Sequence, residues 1–211
     1  MLVSIARPEL ITIADEKTDR TYFGGSQSWY AAEWNRRAGC GPTCAANILA
    51  YLALTRPELR ALYGYETMRV ESFARHMEDV YRFVTPGNMG LNRIEMFLEG
   101  VAAFAQSRGV ALDPHVFGVP RAMGGKRSHA PGLARFVADG LASDCPLGFL
   151  NLARGRVKNI QGWHWVSVTA ADLREDRILA DASDEGERIR FDLGLWYQTT
   201  SLGGGLVYFT Q

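Results

Sequence analysis

No apolar run in the sequence approaches the roughly 20 residues needed to cross a bilayer, which excludes a membrane-spanning helix. Residues 1–9 lack a basic start followed by a long apolar segment, so no signal peptide is expected. Cysteine is scarce. There are three, an odd number that does not suit a disulfide framework, and the expected compartment is a reducing cytoplasm. An excess of either charge is also missing, because Lys+Arg and Asp+Glu both number 23. A neutral chain argues against a nucleic-acid polyanion or an acidic membrane surface as its main partner. Internal repeats and low-complexity segments are absent as well.

What is present is an ordinary globular balance, with 47% hydrophobic and 22% charged residues. The 211 residues are enough for one large domain and short for two, so a single domain over 1–211 is predicted. The first half reads as helical. Residues 42–54 begin with a proline suited to a first turn and continue as an apolar run, which predicts a buried helix. A short helix is predicted after Thr55, with Pro57 near its first turn. Val70, Phe73, Met77, Val80 and Tyr81 recur at helical spacing within 67–83, as do Ile94, Phe97, Leu98, Val101 and Phe104 within 90–108. After Gly109 the pattern changes to an extended stretch over 110–119, a Gly- and basic-rich loop over 121–131 and a helix over 134–142. Strands are predicted at 146–152, 163–170, 177–182, 187–191 and 206–209, separated by turn-prone residues. A helical part over about 40–110 followed by a sheet part over about 145–211 predicts an α+β fold.

The strongest chemical signal is Gly39-Cys40-Gly41-Pro42-Thr43-Cys44, a cysteine between glycines just ahead of an apolar helix. The unpaired N–H groups and partial positive charge of a helix start favour a thiolate, the reactive form of cysteine. One such N–H can also stabilise a developing oxyanion. Cys44 lies one turn inside the helix, and Cys145 precedes Pro146 at a strand start, where it reads as structural. The second signal is Trp163-His164-Trp165-Val166, a histidine in an apolar strand. Strand alternation puts His164 on one face and both tryptophans on the other. A histidine paired with an activated cysteine serves as general base, and it needs a third group to orient its ring. The next strand ends in Asp181-Ala-Ser-Asp184, and both aspartates are within reach. Asp181 directly ends an apolar strand, whereas Asp184 also suits an exposed turn.

A cysteine at a helix start, a histidine in a strand and an aspartate at the next strand's end resemble the papain-like cysteine peptidases. The Cys-Gly-Pro-Thr opening and the short His-to-Asp interval are most similar to the peptidases that remove double-glycine leaders from bacteriocins, in stand-alone form. The resemblance spans about residues 35–185 and maps the nucleophile to Cys40, the base to His164 and the third member to Asp181. It implies a helical part packed on an antiparallel sheet, and hydrolysis of a peptide or other amide bond through a thioester. The family's oxyanion-hole glutamine lies six residues before the nucleophile, where this chain has Trp34. Asn35 is the candidate substitute, with Gln27 a more distant one. The expected partner is a peptide or protein substrate, with no nucleic acid, membrane, metal or cofactor. Alternatives that keep these residues are an acyltransferase and an inactive peptide-binding relative. A zinc site on Cys40, Cys44 and His164 is a further alternative.

Overall fold

A computed structural model describes residues 1–122, 127 and 131–211; His129 and most of the basic 121–131 loop lie outside them. The strands β1 (Leu2–Ser4), β2 (Thr12–Asp15) and β3 (Arg20–Phe23) come first, followed by α1 (Glu33–Ala38) and α2 (Cys40–Thr55). Next are α3 (Val70–Tyr81), α4 (Ile94–Ser107), β4 (Asp113–Val119) and α5 (Pro131–Ala142). The chain ends with β5 (Leu147–Asn151), β6 (His164–Leu173), β7 (Ile178–Asp184), β8 (Glu187–Asp192), α6 (Leu193–Thr199) and β9 (Gly204–Thr210).

The architecture is α+β, a helical part against a seven-stranded antiparallel sheet. The path through the sheet is β4-β9-β5-β6-β7-β8. The seventh strand, β1, shares one edge of β6 with β5: β5 lies opposite residues 164–168 and β1 opposite 170–172. The strands β2 and β3 form a separate hairpin. Every residue of α2 from Gly41 to Ala53 is buried. A helix apolar on all sides has to be central, and α2 contacts β5 and β6 on one side and α3 and α4 on the other. The sheet and the helices therefore share one continuous hydrophobic core.

The first 32 residues, ahead of the predicted helical part, hold three short strands. Three or four residues are too few to show a period, and β1 exists because β6 offers it an edge. The short α6 was also not predicted. Its start is fixed by Asp192, whose side chain accepts from the Leu195 N–H at 2.8 Å.

Candidate active site

The first residue of α2 is Cys40, so its sulfur stands among first-turn N–H groups that have no intrahelical acceptor. The two neighbouring glycines are needed for close packing. Neither has a positive φ. A β-carbon on Gly39 would strike the Asn35 carbonyl and the Tyr30 ring, and one on Gly41 would come within 2.5 Å of Leu91. This tight seat holds Cys40 half-buried at the rim of the sheet.

His164 opens β6, with its side chain only 8% exposed. Its Nε2 lies 2.7 Å from Asp184 Oδ1. A carboxylate can only accept, so Nε2 carries the proton and Nδ1 is left for the ring's other polar neighbour, Cys40. Burial works against the imidazolium, but hydrogen-bonding and charge interactions with Asp184 and Cys40 outweigh it. The His164 pKa is raised from 6.5 to about 10. The arrangement favours an imidazolium at His164, backed by a carboxylate.

The structure corrects the reading that gave Asp181 the third place. Ser167 pairs with Ser183, and one more step puts Asp184 opposite Val166, diagonal to His164 on the same face. Asp181 is three residues from Asp184 in a regular strand and so faces the other side of the sheet. It lies opposite Ala170 and is ion-paired to Arg190 at 2.8 Å. Nor is Asp184 an exposed turn carboxylate. The turn is the pair Glu185-Gly186, both at positive φ, which joins β7 directly to β8.

Cys44 and Cys145 are both buried, and burial raises each thiol to about 12. The Cys44 thiol donates to the Val166 carbonyl at 3.3 Å, so Cys40, Cys44 and His164 do not converge as a zinc site. Among the described residues, the side chains with metal-compatible spacing are His164, Asp184 and Glu185, whose donor atoms lie within 4.8 Å of one another. They are already engaged: Nε2 bonds Asp184, and Glu185 accepts from Ser26 Oγ at 2.8 Å and from the Gln27 N–H at 3.1 Å.

The candidate Asn35 has its backbone carbonyl packed against Gly39. It sits on α1 and lines neither of the two recesses that border Cys40. Gln27 itself lines neither recess, but its segment reaches one of them. The segment from Gly24 to Gln27 borders the smaller recess through Gly25 and is stapled by Glu185 beside Asp184. The Gln27 Oε1 is buried and has no hydrogen-bond partner among the described residues. Behind this segment Asn47, two turns below Cys40, ties the site together. It accepts from the Gly25 N–H at 2.8 Å and donates to Ser167 Oγ at 3.2 Å and Ser183 Oγ at 3.3 Å. Gly24, at φ +79, leaves room for this network, because a β-carbon there would collide with Ser183. These residues were missed in the sequence. The signals available were a polar Asn47 in an apolar helix, Ser167 and Ser183 in apolar strands, and the Gly24-Gly25 pair.

The larger recess beside Cys40 has a volume of about 410 Å3. Its wall includes Trp163, which has φ +61, a region where a bulky side chain costs about 1–3 kcal/mol. The indole N–H groups of Trp163 and Trp165 hold the neighbouring loop through the carbonyls of Met89 at 2.8 Å and Leu91 at 2.6 Å. No helix among the described residues is long and apolar enough to cross a membrane. No family model matches the sequence, and no curated protein matches it either.

Proposed function

We propose that the chain is a papain-like thiol hydrolase that cleaves a peptide or other amide bond in a peptide or protein substrate. The observation that carries this reading is His164, set between Cys40 at a helix start and Asp184 at 2.7 Å. The Cys40 sulfur attacks the substrate carbonyl carbon and the oxygen takes up the negative charge. First-turn N–H groups of α2 and the Gln27 side-chain amide stabilise that oxyanion. The C–N bond then breaks, and the imidazolium passes its Nδ1 proton to the departing amine, leaving a thioester on Cys40. A water molecule gives a proton back to Nδ1 as it attacks the thioester, which releases the acid and restores the thiolate–imidazolium pair. Asp184 keeps the ring in the tautomer and orientation that both proton transfers require.

The test is the rate of iodoacetamide alkylation from pH 5 to 9, followed by mass spectrometry, alongside turnover of a casein digest. One thiol should react rapidly below pH 7, disappear in Cys40→Ala, slow in His164→Ala and be unaffected in Cys44→Ala. Gln27→Ala should lower turnover about 10²–10³-fold, while Asn35→Ala should change it little. Turnover that survives in Cys40→Ala would overturn the mechanism.

A further inference from the structure

The Cys40 thiol opens onto the 410 Å3 recess, whose walls include Trp34, Met89, Leu91 and Trp163, with Arg37 at the rim. That volume leaves ample room for a large side chain. Trp34, Met89 and Trp163 are exposed, although side chains of this kind are usually covered. The backbone of Trp163 is in the left-handed region, and its indole N–H donates to the Met89 carbonyl, so the ring is held in place as a wall. Trp165 fixes the same loop from the Leu91 carbonyl. The recess is therefore preformed.

The direction of the substrate follows from the proton path. The departing amine must lie on the His164 side, because it takes its proton from that ring. The acyl part stays bonded to Cys40 and extends the other way. The larger recess is bordered by Cys40 and by neither His164 nor Asp184, so it lies on the acyl side.

We propose that this recess is a specificity pocket for an aromatic side chain on the residue whose carbonyl Cys40 attacks, and that Arg37 at its rim disfavours a basic one. The assignment rests on the thiol-hydrolase reading of Cys40.

The test compares three N-acetyl amino-acid chloromethyl ketones, derived from phenylalanine, glycine and lysine, with iodoacetamide as the reference. In each ketone the Cys40 sulfur forms a C–S bond at the methylene carbon and chloride leaves. The phenylalanyl probe should modify the wild type at least about tenfold faster than the glycyl probe, and the lysyl probe should show no such gain. The Phe/Gly rate ratio should fall toward one in Trp163→Ala. Trp34→Ala, on the exposed face of α1, should lower it too and serves if the first variant fails to fold. Equal Phe and Gly rates, with rapid His164-dependent iodoacetamide alkylation, would overturn the pocket and leave the hydrolase reading standing. Slow iodoacetamide alkylation of the wild type would remove the hydrolase reading and the pocket with it.

Discussion

At His164 the two ring nitrogens differ: Nε2 is held by Asp184, which leaves Nδ1 as the nitrogen available to the neighbouring Cys40. In the proposed hydrolysis the carboxylate is a positioning group, and it also supports the positive charge that the ring carries before it protonates a leaving amine. Replacing it by an amide keeps the size and removes the charge. Asp184→Asn should lower turnover by about 10²–10⁴-fold and slow Cys40 alkylation below pH 7. Asp181→Asn breaks a half-exposed pair with Arg190 on the other face, so it should change stability by at most about 1 kcal/mol and leave turnover intact. Steady-state kinetics on the two variants checks this; a dead Asp181→Asn beside an active Asp184→Asn would reverse the assignment.

At the level of elements, the site is a junction of α2, β6, β7 and the Gly24–Gln27 segment, and Asn47 touches a member of each. Ser167 adds a bond to the Cys44 carbonyl at 3.4 Å, and Ser183 donates to the Phe23 carbonyl at 2.6 Å. The Asn47 bonds are buried, and a buried amide N–H left without its acceptor costs about 1–3 kcal/mol. Asn47→Ala should lower Tm by about 4–8 °C, from a loss of about 2 kcal/mol in a chain of this size. It should also lower kcat, with KM little changed, at temperatures well below that Tm, because the helix bearing Cys40 is no longer keyed to the strand bearing His164. A purely structural role would move Tm alone, so unchanged kcat in the folded variant would refute the positioning role.

Over the whole molecule, two histidines bias the pH dependence of stability in opposite directions. His76 is buried among Tyr63, Phe73 and Phe104, and its Nε2–H donates to the Ala46 carbonyl at 3.2 Å. Burial lowers its pKa to about 4, while the facing charges of Asp79 and Arg108 act in opposite senses. Between pH 6.5 and 4 the unfolded chain therefore binds the proton that the folded chain refuses, and stability falls as pH is lowered, by about 3 kcal/mol at most. His164 has the opposite sign. Its raised pKa means the folded chain holds a proton that the unfolded chain releases above pH 6.5, so its contribution is full below that pH and is lost as pH rises through about 10. Thermal unfolding across pH 4–10 should give a maximum near neutrality. His76→Leu should flatten the acid limb and His164→Gln the alkaline one; limbs unaltered in both variants would refute this account.

Local physics carried much of this into the sequence. A cysteine between glycines ahead of an apolar run marks a helix start whatever packs around it, and Cys40 stands there. Period and alternation likewise marked α3, α4 and the strands of the second half, and put His164 on the face opposite its flanking tryptophans. The sequence by itself therefore determined the α+β class, the thiol at a helix start and the histidine in a strand. Tertiary structure alone decided which groups serve them. Asp184 meets the imidazole because of a strand register and a two-residue turn. Gln27 is tied to the β7–β8 hairpin because Glu185 accepts from its backbone N–H. The pairing of β1 with β6 and the bonds from Asn47 to Ser167 and Ser183 join residues more than 100 positions apart. Local propensity carries no information about such pairings, because they are fixed only when the core closes around α2.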